Sequence, residues 1–153
     1  MEVENKGFTL VEILAVITII SLLVLIAIPA SQSIAKKTNE KMYTSKLDIA
    51  KQSAKLWAID NIECFKNPIC KKIIPAECKI TKENIKCYTI TLNALAEEGY
   101  YDYDGYDDEG NGRIIDPRNK SEENDLNDTP LLINYNTNTK KIDFITIEKS
   151  LIN

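Results

Sequence analysis

Apolar and polar positions divide the chain into three stretches with different periods. From Phe8 to Ala30 the run FTLVEILAVITIISLLVLIAIPA is predominantly apolar, with Glu12 its only charge. A bilayer core takes about 20 apolar residues as a helix, so this run predicts a membrane-spanning segment. Pro29 removes one helix hydrogen bond near its far end and is expected to kink or loosen it. Beyond it, Ala35, Met42, Ile49 and Leu56 recur every seven residues, with Ala50, Ser53 and Trp57 beside them and lysines on other faces. That period continues the helix as an amphipathic one over 31–60, ending near Asn61. Its apolar stripe is expected to lie on the protein's own sheet in preference to a coiled-coil partner.

The period then shortens. Residues 87–92 (CYTITL) read as a strand, and Asn93 to Glu98 as one or two helical turns stopped by Gly99. Residues 131–135 and 141–147 predict a hairpin across 136–139, with Ile133 facing Ile142 and Leu131 facing Phe144. Strands after a long helix predict an α+β fold, the N-terminal helix packed on a small antiparallel β-sheet. The implied organisation is a leader over 1–7, a membrane-spanning half-helix over 8–30, an amphipathic half over 31–60, and a head domain over 61–153. A head of that size gains from covalent staples.

Cys64, Cys70, Cys78 and Cys87 supply candidates. The chain has no CxxC and no histidine, which disfavours zinc and favours two disulfides, for which three connectivities exist. A turn at Lys82-Glu83 would set Cys78 opposite Cys87 and leave Cys64 with Cys70. Disulfides place the head outside the cytoplasm. The lysine count points the other way, with Lys36, Lys37 and Lys41 after the apolar run against Lys6 before it.

Region 97–128 holds twelve acids against Arg113, Arg118 and Lys120. Within it, residues 107–114 (DDEGNGRI) match the first half of an EF-hand-type loop, with Asp107, Glu109 and Asn111 at the oxygen-bearing positions. Calcium held by these three, the Arg113 carbonyl and a nearby acid such as Asp116 is one reading. A solvated acidic loop is the other, because Arg118 stands where the motif has its bidentate acid. Tyr100, Tyr101, Tyr103 and Tyr106 are expected to cover the sheet edge.

Glu12 is the physically odd residue, since a carboxylate in a lipid-facing helix is costly. Thr9-Leu10-Val11-Glu12 reads locally as a capping box, with the acid also favoured by the helix dipole. The whole string Lys6-Gly7-Phe8-Thr9-Leu10-Val11-Glu12-Ile13-Leu14, followed by the apolar run and Pro29, resembles the N-terminus of type IV pilins and pseudopilins. The resemblance covers about the first 30 residues. It implies cleavage of the Gly7–Phe8 bond by a prepilin peptidase, N-methylation of Phe8, and assembly through Glu12, which neutralises the new amine of a neighbouring subunit. It also decides the orientation in favour of an extracytoplasmic head on a single-pass anchor. In some pseudopilins the region corresponding to the acidic loop binds calcium.

The removed-signal-peptide reading fits poorly. The run is longer than an h-region, and the leader carries Glu2 and Glu4 against Lys6. With no histidine and no nucleophile motif, an enzyme has nothing to rest on. The expected partners are other copies and related pilins in a filament, a prepilin peptidase, and the membrane. No nucleic-acid role is established, although residues 36–86 carry twelve lysines against six acids. The rival readings are a minor tip subunit acting as an adhesin or calcium-dependent contact, and a signal-anchored surface protein outside any pilus.

Mass spectrometry of the natural protein is expected to find Phe8, methylated, as its first residue. A start at Met1 or Ser31 would refute the processing reading.

Overall fold

The computed structural model describes residues 9–67, 69–78 and 82–147, with only the backbone of 26–30. Helix α1 (Leu10–Asp60) is unbroken through Pro29. Two compact units divide it, the second beginning at Glu40. In the first, the described side chains from Leu10 to Leu25 are all exposed. No helix among the described residues is long and apolar enough to cross a membrane. Phe8 and the side chains of 26–30, which complete the apolar run, lie outside that description.

The second unit is a helix on a sheet. After α1 come α2 (Ile62–Lys66), β1 (Ile74–Ala76), β2 (Ile85–Thr91), α3 (Leu92–Glu97), a ribbon of β3 (Gly105–Tyr106) and β4 (Gly112–Arg113), and β5 (Pro130–Asn136) with β6 (Lys141–Ile147). The main sheet has the order β1-β2-β5-β6 and is antiparallel throughout. One face carries Tyr88, Ile90, Leu131, Ile133 and Tyr135, all buried. Against these large side chains α1 sets small ones, Ala50, Ser53, Ala54 and Ala58, with Tyr43 and Trp57 flanking them. Phe65 of α2 fills the centre. It meets Trp57 and Tyr88 edge-on, at 6.1 and 5.2 Å between ring centroids, and stacks on Tyr135 at 5.8 Å. Thr91 ends β2 and caps α3, its hydroxyl accepting from the Ala94 N–H at 3.2 Å.

Three expectations change. The sevenfold stripe is not the core: Met42, Ile49 and Leu56 are 50–60% exposed. The buried face lies one position further on, at Tyr43, Ala50 and Trp57, a rotation of about 100°. The sheet already supplies the bulk, so the helix buries the residues that let it approach.

The β5–β6 hairpin turns one residue later than expected. Asn136 pairs with Lys141, the Asn136 side chain accepts from the N–H groups of Asn138 and Thr139, and Lys140 takes the left-handed conformation. A bulge between Asn134 and Tyr135 then puts Ile133 opposite Ile145 and Asn134 opposite Phe144. The core face of β6 becomes Ile142, Ile145 and Ile147, while Phe144 turns outward.

Cys87 lies opposite Ala76, not Cys78. The structure pairs Cys64 with Cys70 and Cys78 with Cys87. The second bond therefore joins the segment after β1 to a strand residue two places away in register.

Urea unfolding of the full chain in detergent should separate the core from the exposed stripe of α1. Phe65→Ala is expected to cost about 3–5 kcal/mol. Leu56→Ala, on the exposed stripe, should stay within about 0.5 kcal/mol.

Candidate functional site

At the start of α1 the Thr9 hydroxyl accepts from the Glu12 N–H at 3.2 Å, and the Glu12 carboxylate accepts from both the N–H and the hydroxyl of Thr9 at 3.0 Å. This is a complete capping box. It gives the carboxylate local partners while leaving it exposed on a helix whose next residues are all apolar. Gly7 and Phe8 lie outside the described residues.

The acidic region is built by its cations. Arg113 forms a two-pronged pair with Asp125 at 2.7 and 3.1 Å and reaches Glu122 at 3.0 Å. Arg118 pairs with buried Asp116 at 2.7 Å and lays its guanidinium 3.3 Å over the Tyr43 ring of α1. Lys46 of α1 pairs with Asp104 and donates to the Ile115 carbonyl at 2.8 Å. Ile114 and Leu126 anchor the region in the core, and Asn127 bridges to the Ile114 N–H and the Gly112 carbonyl, both at 2.8 Å. Tyr100, Tyr101 and Tyr103 pack against the core, while Tyr106 is 70% exposed. Gly112 admits no side chain, because a Cβ there would sit 2.5 Å from the Tyr103 ring.

Four of the five candidate calcium ligands have partners within the chain, and among the described residues Glu109 is engaged only through its N–H. The Asp107 carboxylate accepts from the Asn111 side chain at 2.8 Å and from the N–H groups of Asn111 and Glu109 at 2.7 and 2.9 Å. These bonds hold its pKa below the usual carboxylate range, the Asn111 side chain contributing most. The Arg113 carbonyl accepts from the Asp104 N–H at 2.8 Å, and Asp116 belongs to Arg118. Among the described residues no three His, Cys, Asp or Glu side chains group as metal ligands. Asp107 and Asn111 come together as a turn, and Asp116 does not join them. Sequence reasoning missed Arg113, Arg118 and Lys46 as organisers. The available signal for Arg113 and Arg118 was their place within a strongly acidic region, whereas Lys46 lies far from it in sequence and gave none.

Residues 4–28 match the family described as the prokaryotic N-terminal methylation motif. Over 89 residues the chain is 32% identical to the type IV wide pilus major component PilA4 of Thermus thermophilus, covering 58% of this chain and 66% of that protein. No solved structure matches the chain.

Burial raises the pKa of Asp116, but the Arg118 side chain and the N–H groups of Arg118 and Asn119 outweigh it and leave the carboxyl below its usual range. A depressed carboxyl stabilises the fold above its unfolded value and loses that contribution as pH falls through the folded one. Thermal stability should therefore decline as pH drops below about 4. Asp116→Asn should melt lower at pH 7 and show a shallower acid slope, read by calorimetry.

Proposed function

The chain belongs to the type IV pilin family, and from that premise we propose that it is a structural subunit of a type IV pilus or related pseudopilus, anchored in the membrane before assembly. The observation that carries this reading is the contiguous string from Lys6 to Leu14, within the matched motif, opening an apolar helix. In this reading the peptidase cuts between Gly7 and Phe8 and leaves an amine on Phe8. The Glu12 carboxylate, capped by Thr9 in the single chain, exchanges that bond for the amine of a neighbouring subunit. A charge pair in an apolar setting contributes little net stability but sets one axial offset, since any other register strands a charge in lipid.

The exposed stripe supports the same reading. Met42, Ile49, Leu56 and Ile59 recur at helical spacing and are at least half exposed in the single chain. Apolar rows of this kind mark interaction surfaces. The role is structural, the head is extracytoplasmic, and the disulfides suit that compartment.

Glu12→Val should insert, be cleaved at Gly7–Phe8, and yield few filaments in sheared surface fractions. Wild-type filament yield from this variant would show that register is set elsewhere.

A further inference from the structure

Strands β2 and β5 lie side by side and antiparallel, and a cleft opens at each end of the pair. At the Pro130 end is a cleft of about 710 Å³ with Glu123, Asp125 and Asp128 in its wall beside the mutually paired Asp116 and Arg118. At the Tyr135 end is one of about 340 Å³ with Lys66, Lys86 and Lys140 around a floor of Phe65 and Tyr135. A seven-residue strand separates them by about 20 Å.

Not all of these charges are free to act outward. Asp125 is held by Arg113, and Lys66 pairs with Glu63. Exposed Glu123 and Asp128 on one side, and exposed Lys86 and Lys140 on the other, have no ion-pair partner among the described residues. The head thus carries unpartnered acids at one end of its strands and unpartnered lysines at the other.

We propose that the lysine cleft of one copy docks on the acidic cleft of the next, head to tail, an inference that rests on the subunit reading above. The two ends are complementary in sign and number, and a contact between different patches of identical chains propagates into an open helical array wherever its rotation does not close a ring. Charged patches of this kind select the partner and its register more than they add affinity. Nucleic acid suits the lysine cleft less well. Its aromatic rings are buried, at 1% and 3% exposure, and offer no face for a base to stack on. The chain as a whole is net negative, and a nucleic acid would leave the acidic cleft unpartnered.

Charge exchange in the full-length chain, expressed in its own cells, tests this. Lys86→Glu/Lys140→Glu and, separately, Glu123→Lys/Asp128→Lys should each lower sheared filament yield about tenfold. The chain carrying all four substitutions should recover most of the wild-type yield. Unchanged melting temperatures and unreactive thiols in each variant show that the heads are folded. Wild-type yield from both double variants, or no recovery in the fourfold one, overturns the proposal while leaving the subunit reading in place. Loss of DNA retention by the first double variant at normal filament yield also overturns it, in favour of nucleic acid. If the wild-type chain itself forms no filaments, the subunit reading falls and the proposal falls with it.

Discussion

The contact between the alanine face of α1 and the aromatic layer centred on Phe65 is the constraint on which the head depends. Ala50, Ala54 and Ala58 bring the helix close to the sheet, and that closeness leaves Tyr43 and Trp57 to close the sides. Phe65 fills the space because α2 follows α1 after one residue, and the Cys64–Cys70 bond holds that short helix in place. The same geometry sends Met42, Ile49 and Leu56 outward. One choice of packing face therefore produces both the interior of the head and the apolar row that a neighbouring copy can cover. A larger residue at Ala54 would strain the core and tilt the row with it.

The acidic region is held on different terms. From Glu97 to Asp128 only a few apolar side chains enter the core, chiefly Ile114 and Leu126. Between these anchors the chain is fixed by charge-assisted bonds from Arg113, Arg118 and Lys46 and by the amide of Asn127. The Arg118–Asp116 pair is half of a larger unit, since the guanidinium also covers Tyr43. An ion pair with one buried partner tolerates loss of neither member well, because the survivor keeps its desolvation penalty. The region is folded by its few cations, and its many remaining acids are left for the surface.

These two modes of packing explain what a linear reading sees. The long helix, the strand at β2, the short helix stopped by Gly99 and the final hairpin follow from local periods, because each period reports one element's own environment. The family motif is contiguous and needs no folding to be seen. Which residues of the amphipathic stretch face inward was only partly legible: Ala50, Ser53 and Trp57, beside the sevenfold stripe, are buried while the stripe is not, because the choice depends on how much volume the distant strands contribute. The β5–β6 register was not legible, being set by the Asn136 side chain and the left-handed Lys140. The acidic loop stayed open between two readings for a related reason. Its oxygen spacing matches a calcium loop, yet the Asp107 carboxylate serves Asn111 and the turn, which only the folded chain discloses.

The bulge in β6 carries a last consequence. This strand forms one margin of the main sheet, and subunits crowded on a filament would present such margins to each other at very high local concentration. A flat, regular margin would be free to zip sideways into another molecule's sheet and begin irreversible aggregation. The bulge interrupts the ladder and adds twist, and Lys141 and Asp143 place exposed charges beside it. At the opposite margin β1 is only three residues long and contains Pro75, which has no N–H to offer. Both margins are poor templates, so the heads can be packed densely without polymerising through their backbones.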